Sequence, residues 1–251
     1  MSESLFDKEK FIQNSFTVVF NCRPDIRREA NKFEDRLKDD YVQPQIFGVP
    51  DNLEPEIPRM IFGSKHGYSH IIFSQMTMTL NVIYSPDWQS DIRRGQTYLL
   101  NRAMVLFDLL DLMDEKKPFF CGLTTRVQIP SSLPDADVLS YLEEILLSRK
   151  TGGNVHDFEL KEVAVHEDKY FSNVLIQNYR IWEDALPKVM RLSRKNSITR
   201  GIQIIGDFND RYAFNEEENY YSSKDSALAI IEKGITFMIG HIERMKGNTR
   251  C

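Results

Sequence analysis

Met76-Thr77-Met78-Thr79-Leu80-Asn81-Val82-Ile83-Tyr84, continued by Ser85-Pro86-Asp87-Trp88, is the stretch whose reading decides the fold. Met76, Met78, Leu80, Val82 and Tyr84 fall on one side of a two-residue period, and Thr77, Thr79 and Asn81 on the other. That pattern belongs to a strand with one face on a core and one face in water. Ser85 and Pro86 then suit the start of a helix, as a cap and a first helical residue. Ile92, Gln96, Leu99, Leu100, Ala103, Leu106, Phe107, Leu110 and Met113 follow at three- and four-residue spacing. This apolar stripe predicts a long helix over 88–113 lying across a sheet.

Working outward, Met60-Ile61-Phe62-Gly63 and Tyr68 to Phe73 read as two strands joined at Lys65-His66-Gly67. Upstream, residues 2–13 suit a short helix, Ser15 to Asn21 a strand, and Asp25 to Asp40 a charged surface helix. Pro44, Pro50, Pro55 and Pro58 exclude a helix over 42–58 and leave room for an edge strand at Gln45 to Val49. Downstream come a strand over Phe119 to Ile129 and a helix from Asp135 to Arg149 stopped at Thr151-Gly152-Gly153. Strands follow over 158–165, 170–182 and 201–208, with His166-Glu167-Asp168-Lys169 as a hairpin turn. The segment 184–197 suits either a helix or a basic loop. The last helix, over 223–245, has a capping box of Ser222 and Asp225 and the stripe Ala227, Ile231, Gly234, Met238, Ile242 and Met245.

The expected fold class is thus α+β, antiparallel sheet covered by long helices. Strands followed by a helix occur twice, which raises a duplicated βββα unit. The halves would be 1–130 and 131–251, packing as two units or as one.

The chain has 251 residues, 41% hydrophobic and 27% charged, an ordinary soluble composition that excludes disordered and fibrous classes. With 37 acidic and 32 basic residues the net charge is -5, which gives no global pull toward nucleic acid or anionic lipid. No apolar run approaches the roughly 20 residues that span a bilayer. The first eight residues lack the pattern of a secretory leader. Cys22, Cys121 and Cys251 are three, scattered and without a CxxC pair. A cytoplasmic, reducing setting is the expectation, with no membrane association and no disulfide framework.

Three sets of residues merit weighing as sites. Glu159 and Lys161 lie two apart on a strand and so share a face, as a metal carboxylate and its neighbouring ammonium do in metal-dependent nucleases. Asp135, Asp137 and Asp157 are poorly placed to complete such a set, and a solvated strand face explains the pair as well. Asp207, Asn209 and Asp210, near Glu216, Glu217 and Glu218, supply oxygens of the kind hard cations take, or else form an acidic turn. Lys188, Arg191, Arg194, Lys195 and Arg200 make a basic run suited to phosphates or to an acidic protein partner. Five histidines form no metal-binding spacing, and neither a phosphate-binding Gly loop nor a nucleophile elbow occurs. Cys121, on an apolar strand, reads as a buried hydrophobe.

Several of these segments together resemble an uncharacterised, sporadically distributed bacterial family of about this length. Arg59 to Phe62 and Ile71 to Phe73 flank the Lys65-His66-Gly67 turn, and Leu80-Asn81-Val82 precedes Tyr84 to Trp88 and a helix. Ile204-Ile205-Gly206-Asp207-Phe208 precedes a terminal helix with His241. His66 stands where that family carries Asp. The resemblance implies an architecture and no activity, and the family's patchy distribution implies an accessory or defence-like role.

The function expected is therefore a non-enzymatic protein-interaction or regulatory module without a cofactor, acting on a protein partner, with self-association open. The competing expectation is a metal-dependent nuclease or nucleic-acid-binding subunit using Glu159, Lys161 and the basic run.

Overall fold

Alternation between apolar and polar side chains recurs along the longer strands, which gives each of them one face to bury. The computed structural model describes residues 5–147, 153–183 and 192–247. The strands of the first half are β1 (Lys10–Val19), β2 (Gln45–Ile46), β3 (Met60–Gly63), β4 (Ser69–Phe73) and β5 (Thr77–Ile83). Its helices are α1 (Ala30–Leu37) and α2 (Ile92–Leu112). The second half supplies β6 (Phe120–Pro130), α3 (Asp135–Leu146), β7 (Glu159–His166), β8 (Tyr170–Ile181) and β9 (Thr199–Asn209). It ends in α4 (Arg211–Glu216) and α5 (Lys224–Met245). The strands form one sheet in the order β2-β3-β4-β5-β1-β6-β9-β8-β7, antiparallel throughout. The chain is α+β, and one sheet crosses both halves through the β1–β6 pairing.

Core residues come from one side of each strand. Phe16 and Val18 of β1, Met78, Leu80 and Val82 of β5, Leu123 and Val127 of β6, and Ile202 and Ile204 of β9 are all buried. They meet the apolar stripes of α2 and α5, including Leu99, Ala103, Leu106, Ile231, Gly234, Met238 and Ile242. Two glycines set how closely α5 approaches. A Cβ on Gly206 of β9 would lie 2.1 Å from Met238 Sδ, and one on Gly234 of α5 would lie 3.2 Å from both Leu123 and Phe208. Phe33 of α1 stacks on Phe73 of β4 at 4.8 Å, extending the same layer to the far strands. On the other flank α3 is held by Tyr141, whose hydroxyl donates to the Met245 carbonyl at 2.7 Å.

An internal charge pair fixes the start of α3. Arg180 of β8 donates to both carboxylate oxygens of Asp135, at 2.6 and 3.0 Å, and both side chains are under a tenth exposed. The same guanidinium reaches Asp157 at 2.7 Å and the His156 carbonyl, so it also anchors the entry to β7. Arg59, wholly buried, is a second internal anchor. It donates to the carbonyls of Ile57, Leu53 and Glu54 and thereby folds the proline-rich connection onto the sheet.

Several boundaries differ from the sequence reading. Of the helix expected over 2–13, residues 2–4 lie outside the described residues, and the remainder is a non-helical lead-in to β1, which begins at Lys10. A register shift between Phe11 and Gln13 breaks the alternation, and a buried Asn14 occupies a core position. Its amide donates to the Tyr84 hydroxyl at 2.9 Å, which makes a polar residue acceptable there. The charged helix at 25–40 is a 3-10 turn at Ile26–Glu29 followed by α1. The second helix begins only at Ile92, with Asp91 as its cap accepting from the Arg94 amide at 3.0 Å. Ser85 bonds Asp87 within the preceding turn instead. Ser223 caps α5, accepting from the Ser226 amide, while Ser222 turns inward to Asp210. α3 ends at Leu146 with Leu147 already extended, ahead of the expected stop at Thr151-Gly152-Gly153, of which Thr151 and Gly152 lie outside the described residues. The hairpin at 166–169 is present without glycine: Glu167 and Asp168 take positive φ of 55° and 46°, the primed turn that matches strand twist.

Two stability outcomes follow. Gly206→Ala should destabilise by about 1–3 kcal/mol through overpacking against Met238. Combining it with Met238→Ala should give less than the sum of the single losses in urea titration, the signature of direct contact. Arg180→Met should cost about 3–5 kcal/mol by leaving the Asp135 carboxylate buried without its partner.

Candidate functional site: the open face of the sheet

The side chains opposite the core form the second face of the sheet, and strand register arranges them in rows. One row runs Val163, Asn173, Asp207, Thr124, Ser15, Asn81, His70, Gly63 from β7 across to β3. A second runs Val165, Phe171, Asn209, Gly122, Thr17, Thr79, Ile72, Ile61, and a third Lys161, Leu175, Ile205, Arg126, Gln13, Ile83. α1, α2, α3 and α5 all pack on the core side. Among the helices of the described residues α4 alone reaches this face, at one end: Tyr212 meets Phe171 edge-on at 5.2 Å, and Phe214 packs on Phe120.

Asp207 lies in the middle of the first row and is largely buried among its neighbours. Its carboxylate accepts from the Asn173 amide at 3.0 Å, the Asn209 amide at 2.7 Å and the Thr124 hydroxyl at 3.4 Å. Asn209 cannot offer its oxygen there, because that oxygen accepts from the Arg211 backbone amide at 3.1 Å. Burial raises the Asp207 carboxyl above its ordinary value, and the three donors hold it back only in part. Shallow hollows of about 170 and 270 Å³ lie on either side, sharing Asp207, Asn209 and Arg211.

The residues weighed as a metal set are split by the sheet. Asp207 and Asn209 face the open side, whereas Asp210 is wholly buried. Asp210 accepts from the Cys121 amide at 2.7 Å, the Tyr220 hydroxyl at 2.6 Å and the Ser222 hydroxyl at 2.7 Å, a network that ties the start of α5 to β6. Burial raises its carboxyl as well. What surrounds Asp207 is a set of donors, the inverse of a cation's oxygen shell. Among the described residues no three His, Cys, Asp or Glu side chains converge.

Glu159 and Lys161 sit exposed on the edge strand β7, facing Gln177 and Leu175 of β8. Of the upstream carboxylates weighed with them, Asp135 and Asp157 are held by Arg180. Lys188 and Arg191 lie outside the described residues. Arg194 donates to the Val155 carbonyl at 3.1 Å and lies 3.7 Å from Asp135, and Arg200 donates to the Ser197 carbonyl at 3.2 Å. Lys195 is exposed. Cys121 is buried, and burial drives its thiol's pKa up, away from a nucleophile. Asn173 and Thr124, which complete the Asp207 cluster, carry no local signal: they join it only through register, 34 and 83 residues away in sequence.

The Asp207 carboxyl has a pH signature. Its folded-state value is raised, so the folded chain keeps this proton to higher pH than the unfolded chain does. Its stabilising share is greatest at acid pH and declines as pH rises from the ordinary carboxylate value toward the raised one. Urea titrations across that window should show wild-type stability falling relative to Asp207→Asn. A difference that stays flat or rises would exclude the raised value.

No protein-family model matches this chain, and no curated protein matches it either, so its function is read from the geometry of this face.

Proposed function

We propose that this chain is a protein-interaction module that presents the open face of its sheet to a protein partner. The observation that carries this is the character of the face: wide, nearly uncharged and partly apolar. Eight strands about 4.8 Å apart extend it roughly 35 Å, and three rows of side chains give an area on the order of 700 Å², close to one side of a standard interface. The three rows carry Lys161, Arg126 and Asp207 as their charged side chains, and the remainder are Thr, Ser, Asn, Gln, His, Gly, Phe and aliphatic residues. Val163, Val165 and Ile83 are 55%, 43% and 51% exposed, apolar anchors on a face with little charge.

The edge strand is less suited to partner binding. Glu159, Lys161 and Glu162 place charge along β7, a pattern that discourages strand addition. Among the described residues the face carries no cluster of Lys and Arg of the kind that phosphates demand, which supports the protein-partner reading over nucleic-acid binding. The exposed thiol of Cys22 suits a reducing, cytoplasmic setting.

The architecture is also read here as two related βββα units. In support, β3-β4-β5 precede α2 and β7-β8-β9 precede α5, and the strand order β3-β4-β5-β1 is mirrored by β7-β8-β9-β6. A face built from two such units would give a partner two similar half-sites.

The test is affinity capture of tagged protein from its native lysate with and without nuclease. A stoichiometric protein partner should survive nuclease, and Val163→Asp with Gln13→Asp should reduce its recovery about tenfold or more. Glu243→Lys on the opposite side of the molecule should leave recovery unchanged. Equal recovery by the face variant, or loss of the partner with nuclease, would overturn the reading.

A further inference from the structure

A second site lies apart from the middle of the open face, between the β3–β4 turn, the end of β5 and the first turns of α2. It is a cleft of about 370 Å³ walled by Tyr68, Tyr84, Trp88 and Tyr98 together with Val82 and Ile83. Ser64, His66, Ser85, Asp87, Asp40 and Arg102 form its polar parts.

The aromatic walls are held in place from outside the cleft. The Tyr84 hydroxyl accepts from buried Asn14 at 2.9 Å, and the Tyr98 hydroxyl bonds Ser69, itself buried, at 2.7 Å. Trp88 and Tyr98 meet edge to face at 5.9 Å. Gly95 of α2 makes room for this arrangement, since a Cβ there would come within 2.9 Å of the Tyr84 hydroxyl. A preformed concave space with mostly apolar walls and a few polar groups is what small-molecule sites share.

The charges of the chain narrow the ligand class. Arg102 makes a paired contact with Asp40, one bond at 2.8 Å, and Asp87 accepts from the Ser85 hydroxyl while the Arg94 guanidinium acts on its charge. The lining charges are therefore already answered, which disfavours an ionic ligand. Aromatic walls can also attract an organic cation, but here the protein supplies its own. The Arg94 guanidinium lies 3.9 Å over the Trp88 ring, and Arg102 lies 5.4 Å from the Tyr98 ring. We infer that the cleft binds an uncharged planar heteroaromatic ring, stacked among Trp88, Tyr98 and Tyr68, with Ser64 or His66 bonding its heteroatoms. The cleft shares Ile83 with one end of the open face, but its ligand class and its readout are its own, so the failure of either reading is distinguishable from the failure of the other.

The chain's two tryptophans, Trp88 and Trp182, provide the readout. In ¹⁵N-labelled protein each gives one indole N–H resonance, assigned with Trp182→Phe. Titration with adenosine and with indole should move the Trp88 resonance saturably, half-way at about 1 mM or below, the range of weak ring-sized ligands. Trp182, whose indole donates to the Ser193 carbonyl, should not move. Ile83→Tyr, at a half-exposed position of the wall, should fill the cleft and weaken the response at least tenfold while leaving the fold intact by its spectrum. A Trp88 resonance unmoved by both probes, an Ile83→Tyr variant that responds as wild type does, or a response to tetramethylammonium alone would overturn the inference.

Discussion

The close seat of α5 against β9 and β6 is the constraint on which the rest of the molecule depends. Gly206 and Gly234 remove two side chains from that contact, so Met238 lies where a Cβ would otherwise be and Phe208 and Leu123 reach the helix backbone. The seam lies where the halves of the sheet join: β6 pairs with β1 on one side and β9 on the other. Because α5 touches both this seam and α2, it locks the strands of the first half to those of the second. Asp210 adds a polar anchor at the same place, gathering Cys121, Tyr220 and Ser222 at the base of the helix.

That arrangement concentrates the core on one side. Among the described residues four helices compete for the inward face, and α4, only six residues long, turns to the other. A sheet side left to solvent must satisfy its polar groups locally, and this one does so with pairs between strands: Thr17 with Thr79, Asn173 with Asp207, Gln128 with Gln203. Apart from Asp207, these are uncharged side chains that lose little on desolvation when a surface closes over them, provided that bonds are exchanged.

Much of the fold could be read from periodicity, because the period-two strands and the helical stripes carry the core directly. Met78, Leu80 and Val82 point inward as their alternation implies, and the stripe of α5 from Ala227 to Met245 is buried position by position. The N-terminal strand could not be read this way, since Asn14 is a core residue only because Tyr84, 70 residues on, accepts from it. The helix starts were misplaced for a related reason: several Ser and Asp residues could serve as caps, and tertiary partners chose among them. The Asp207 cluster was half legible. Asp207 and Asn209 are adjacent on one strand face, but Asn173 and Thr124 come from neighbouring strands, and only register shows that they meet the carboxylate with donors.

The distribution of charge separates the stabilising work from the surface offered outward. Where ionic groups are deeply buried they serve the scaffold: Arg180 with Asp135 at the start of α3, Arg59 with the carbonyls of the proline-rich connection, Asp210 beneath α5. Each would be expensive to disturb, since the remaining group would be stranded in a medium of low dielectric. The open face, by contrast, has few charges, and its central carboxylate is shielded by amides and a hydroxyl. A surface of this kind discriminates by shape and by hydrogen-bond complementarity, with little electrostatic steering, so association should be only weakly dependent on salt. That property is what separates a protein partner on this face from a polyanion held by the basic residues around Lys195, whose binding would fall steeply as salt rises.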